Sequence, residues 1–73
     1  MITLEQIQLN LAKAIKNSGM TQVQLAKLLG VSQSCISHYI KGDIMPALDT
    51  FANICQLLDE SADFILGLEE NKR

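Results

Sequence analysis

TQVQLAKLLGVSQSCISHYIKG, running from Thr21 to Gly42, is the stretch that decides the fold. Val23, Leu25, Ala26, Leu28 and Leu29 recur at helical spacing, and the run stops at Gly30. Ile36, Tyr39 and Ile40 then restart an apolar stripe at i, i+3 and i+4. Only Gly30, Val31 and Ser32 separate the two expected helices. Two short amphipathic helices joined this tightly cannot lie flat and antiparallel. They are expected to cross steeply, as in a helix-turn-helix.

The residues at the crossing agree. Thr21 and Gln24 have capping-box spacing, and Met20 and Leu25 that of a hydrophobic staple. Ala26 is small where the second helix must approach the first. Gly30 admits the left-handed conformation that ends a helix. Ser32 is placed to cap the next helix, with Val31 and Ile36 as its staple.

The other face of that next helix carries Gln33, Ser34, Ser37, His38 and Lys41, one continuous stripe. It contains no acid and no large apolar residue. Every member can donate a hydrogen bond, and Gln and Ser can also accept. A helix laid in a DNA major groove needs such a face. A merely solvated face is the alternative, but such faces commonly include Glu or Asp.

In these residues the stretch resembles the helix-turn-helix of the lambda and 434 repressor and Cro family, the XRE-like group. Leu25, Ala26, Leu29, Gly30, Val31, Ile36 and Tyr39 occupy the pattern's apolar, small and glycine positions. The resemblance extends from Leu11 to Leu66 and implies an all-α, five-helix, lambda-repressor-like domain. It places the helix-turn-helix at residues 22–41 of a DNA-binding domain spanning 1–68, with 69–73 as a flexible tail. One departure stands out. Where many members pair an Arg late in the first helix with a Glu near the end of the recognition helix, this chain has Ile15 and Ile40. An apolar pair can replace a buried ion pair without loss of stability. The departure therefore touches any phosphate contact such an Arg would support, not the fold.

Outward from the centre, Ile2 to Ser18 reads as the first helix. Thr3 and Gln6 suggest a capping box, and Leu4, Ile7, Leu11, Ala14 and Ile15 an inward stripe. Lys13 and Lys16 lie off that stripe and serve either solubility or phosphate attraction. After Gly42 and Pro46 a fourth helix is expected from Leu48 to Leu58, with Leu48, Phe51, Ala52, Cys55 and Leu58 inward. Ala47 offers it no capping oxygen. Ser61 should cap a fifth helix, residues 62–66, that ends at Gly67. Phe64, Ile65, Leu66 and Leu68 are apolar on more sides than a terminal helix needs, which suggests a two-fold dimer contact; a small core wrapping all four is the alternative.

The chain has 73 residues, enough for one small domain with a thin core. Its net charge of −2 conceals a segregation. Residues 1–41 carry four lysines against Glu5, whereas seven acids oppose Lys72 and Arg73 in residues 42–73. The local potential around the helix-turn-helix is thus basic. Cys35 and Cys55 lack CxxC spacing and make no zinc set with His38, so no metal or cofactor is expected. Both read as small apolar residues of a reduced, cytoplasmic protein. The Met1 end lacks the basic and apolar runs of a signal peptide. One histidine and no paired carboxylates speak against an enzyme.

The expected function is sequence-specific binding of double-stranded DNA by a transcriptional regulator, a phage- or prophage-type repressor acting as a homodimer on a palindromic operator. Gln33, Ser34, Ser37 and His38 are the candidate base readers, Gln33 foremost because a Gln can bond adenine N6 and N7 together. Gln22, Lys27, Ser32 and Lys41 are the candidate phosphate contacts. The resemblance assigns Gln22 the anchor at a helix N-terminus, where backbone N–H groups attract phosphate. Asp43 in the following loop fits this poorly. A partner such as an antirepressor or a toxin is the expected means of release. The alternative is an interaction module, antitoxin-like or antirepressor-bound, that keeps the fold with weak or no DNA binding.

Overall fold

The computed structural model describes residues 1–69. The tail expected at 69–73 thus lies, but for Glu69, outside the described residues. The described part is all-helical: α1 (Leu4–Asn17), α2 (Gln22–Leu29), α3 (Gln33–Lys41), α4 (Leu48–Leu58) and α5 (Ala62–Ile65).

The boundaries follow from the caps. The hydroxyls of Thr3, Thr21, Ser32 and Ser61 accept from the N–H of Gln6, Gln24, Cys35 and Phe64. At α2 the box closes, because Thr21 N–H donates to Gln24 Oε1 at 2.9 Å. At α1 Gln6 does not return the bond, so only half the expected box forms. With Thr3 as N-cap, α1 starts at Leu4 rather than Ile2. Ala47 gives α4 no side-chain cap, as its methyl dictates. Gly30 ends α2 at φ +74°, and its N–H and that of Val31 both bond back to Ala26 O or Lys27 O. A side chain there would be strained by the backbone rather than by neighbours.

α3 packs on α1 and α2, α5 on α1, and α4 on α2. Leu11, Leu25, Ile36, Ile54 and Ile65, one from each helix, are completely buried. Two side-chain bonds tie α1 to distant backbone. Gln8 Nε2 donates to Gly42 O at 2.8 Å, and Asn10 Nδ2 to Ile65 O at 3.1 Å. The first fixes the end of α3, the second the end of α5. Ile15 is buried and Ile40 is half-buried against the same core, so the apolar replacement of the family's ion pair is accommodated.

Several apolar assignments are corrected. Leu4 is 58% and Leu48 84% exposed, and Ala52 is exposed too. Leu4 and Leu48 open their helices and extend past the packing contacts. Ile54, absent from the expected stripe of α4, is fully buried beside Phe51 and Cys55. The inward face of α4 is therefore rotated toward Ile54. Val23 and Leu28 share the period of α2 yet lie outward. In α2 only Leu25 and Ala26 are fully inside. Ile65 is likewise core, not surface.

Both cysteines are free, Cys55 buried and Cys35 half-buried. Burial, then the nearby Glu60 carboxylate, pushes the Cys55 thiol up. No helix among the described residues is long and apolar enough to cross a membrane.

Tyr39 is 5% exposed. Burial first, and a hydrogen bond with Cys35 second, push its phenol up to about 12. The folded form thus holds this proton more tightly than the unfolded form. The stability this gives is complete below about pH 10 and falls as pH rises toward about 12. Tyr39 is the only tyrosine and there is no tryptophan, so absorbance at phenolate wavelengths reports it alone. The expected midpoint lies clearly above 10, with loss of helix accompanying ionisation. Ionisation at an ordinary phenol value with the helices intact would contradict the burial.

Candidate nucleic-acid interface

α3 separates its two faces sharply. Ile36 and Tyr39 are buried and Ile40 packs on the core. Behind them Gln33, Ser34 and Lys41 are exposed, and Ser37 and His38 are half-buried. All four expected base readers therefore lie on one accessible side of one helix. Gln33 and Ser34 open its first turn, the part that reaches deepest into a major groove in this geometry.

The expected phosphate contacts flank this face. Gln22 is the first residue of α2 and is half-buried. The first ladder bond of α2 runs from Leu25 N–H to Thr21 O, so the N–H groups of Gln22 and Val23 stand ahead of the ladder. Such groups attract anions. Lys27, Ser32 and Lys41 are exposed. The Ser32 oxygen already accepts from Cys35 N–H, but its own proton remains able to donate. No acid lies in the first turn of α2 or α3.

One contact was not foreseen. His38 Nδ1 and Asp43 Oδ2 are 3.1 Å apart. The acid expected to fit that loop poorly is thus joined to α3. The loop makes this possible: Gly42 is left-handed at φ +84°, and Asp43 N–H donates back to His38 O at 3.1 Å. Five residues of separation gave no periodic signal for this pairing.

At the other end, Phe64 and Leu66 are half-buried and Leu68 is 66% exposed. Leu9 of α1, 62% exposed, lines one shallow groove with Phe64. Of the expected dimer residues, Phe64, Leu66 and Leu68 remain accessible and Ile65 is removed. Leu9 was missed because its period placed it off the inward stripe.

A family profile described as helix-turn-helix matches residues 11–65. The chain belongs to the XRE-like helix-turn-helix family. This XRE-like chain is also 34% identical, over 64 residues, to a Bacillus subtilis (strain 168) protein named "Uncharacterized HTH-type transcriptional regulator YqaE". The match covers 88% of this chain and 55% of that protein, so the XRE-like chain spans about half the length of this relative. No solved structure matches it.

Proposed function

We propose that this chain is a sequence-specific, double-stranded DNA-binding transcriptional regulator. The observation that carries the reading is the outward side of α3, Gln33 to Lys41, held in place by buried Ile36 and Tyr39. Gln33, Ser34, Ser37 and His38 contact bases, and Gln22, Lys27, Ser32 and Lys41 contact phosphates. Family membership and the name of the Bacillus subtilis relative support the same class.

The finer reading is a small phage- or prophage-type repressor acting as a homodimer on a palindromic operator. Phe64, Leu66, Leu68 and Leu9 form the apolar surface for a second copy. The Cα framework measures 32 × 24 × 20 Å, so two copies side by side suit recognition helices about 34 Å apart. Repression follows from occupying a promoter, and release from an antirepressor- or toxin-like partner.

Among the described residues, Lys27 and Lys41 are the two lysines of the proposed phosphate contacts. A dimer neutralising about four phosphates has a salt slope near −4, which is shallow for a repressor. Binding to a selected and a random duplex across salt concentrations tests this. A cognate preference that survives moderate salt is expected. The acidic segment from Asp43 onward favours a second reading, an interaction module with weak or no DNA binding. Absence of binding to any duplex even at low salt would leave only that reading.

A further inference from the structure

We infer that Asp43 is a positioning residue that determines which base His38 reads. This rests on the DNA-binding reading above and assigns a role within the same face. The observation is the 3.1 Å contact between His38 Nδ1 and Asp43 Oδ2, both side chains accessible.

A carboxylate can only accept a hydrogen bond. The proton on a neutral His38 ring is therefore held at Nδ1, donating to Asp43. Nε2, at the far end of the ring, then carries a lone pair. A lone pair in the major groove pairs with an amino group, adenine N6 or cytosine N4, and not with the bare acceptors of guanine. Without Asp43 the proton can sit on either nitrogen, and the same ring can donate to guanine N7 or O6 as readily as it accepts. The contact also fixes the ring's rotation, since Asp43 is anchored through its N–H to His38 O.

An acid in a loop facing phosphate does not then defeat binding. Its charge is directed at the imidazole of the reading helix. The competing role for the same carboxylate is to repel phosphate and so weaken binding to every sequence equally. The two roles make separate demands on His38. Positioning works only through His38, whereas repulsion is indifferent to it.

The test is selection of bound duplex from a random pool at about pH 8.5, above the usual range of histidine charge change. The wild-type chain, Asp43→Asn, His38→Ala and the double variant are compared. The wild type is expected to prefer A or C at one position by roughly tenfold or less, one hydrogen bond's worth. Asp43→Asn should relax that same position to within about twofold, because an amide can donate or accept. His38→Ala should relax it too, and adding Asp43→Asn to His38→Ala should change nothing further there. Asp43 is exposed and the His38 side chain is 41% accessible, so both variants are expected to fold, and helical circular dichroism checks this. If Asp43→Asn leaves every position unchanged and only raises affinity, with or without His38, the inference is overturned. If the wild type selects no sequence, the DNA-binding reading fails, and the inference with it; the two failures are distinct.

Discussion

Ile36→Ala should leave the chain largely unfolded at room temperature. Ile36 is completely buried on α3 and belongs to the core built from all five helices. Truncating such a side chain costs about 2–5 kcal/mol, from lost transfer energy and the cavity left behind. A single core in a chain this small supplies only about 3–5 kcal/mol in total. The loss is therefore comparable with the whole. Leu48→Ala is the control. It removes the same kind of apolar surface from a residue 84% exposed, and should change stability by less than about 0.5 kcal/mol. Urea unfolding followed by helical circular dichroism measures both. Two variants of equal stability would mean that Ile36 does not anchor α3.

Gln33→Ala should cost about 1–3 kcal/mol on the cognate duplex and relax one base position. Gln33 is exposed in the first turn of α3, and the Ser32 hydroxyl, which accepts from Cys35 N–H, keeps the helix start intact without it. Only the amide that can pair with adenine N6 and N7 is lost. Gln22→Ala offers the contrast. It stands at the start of α2, where a phosphate is attracted without regard to sequence. Its loss should weaken all duplexes alike and leave base preference unchanged. Affinity titrations on single-base variants of the selected duplex separate the two patterns. An unchanged preference for Gln33→Ala would remove it from the reading role.

How much of this was legible beforehand depended on the kind of signal. Caps were legible because they are local: Thr21, Ser32 and Ser61 each meet an N–H three residues on. The two faces of α3 were legible because period alone separates Ile36 and Tyr39 from Gln33 and Ser37. Short helices fared worse. In α2, Val23 and Leu28 fit the apolar period, yet α2 buries only Leu25 and Ala26 fully. In α4, tertiary packing turned the buried face toward Ile54, a rotation that period cannot fix over so few turns. The apolar residues from Phe64 to Leu68 did not show that Ile65 is buried while Leu68 is exposed.

Contacts between distant segments were the least legible. Gln8 to Gly42 O spans 34 residues and Asn10 to Ile65 O spans 55. Nothing in local pattern marks an amide for such a partner. His38 and Asp43 were each noticed, but as a reader and a misfit. Their pairing needs the left-handed turn at Gly42 to bring the loop back over the end of α3.

Selection of bound duplex from a random pool by the unmodified chain decides whether α3 reads DNA. The enriched sequences should contain two inverted copies of one short half-site, centred about 34 Å apart along the helix axis. A pool that emerges with no enriched motif, though the chain stays helical and folded, would contradict the assignment of α3 to DNA.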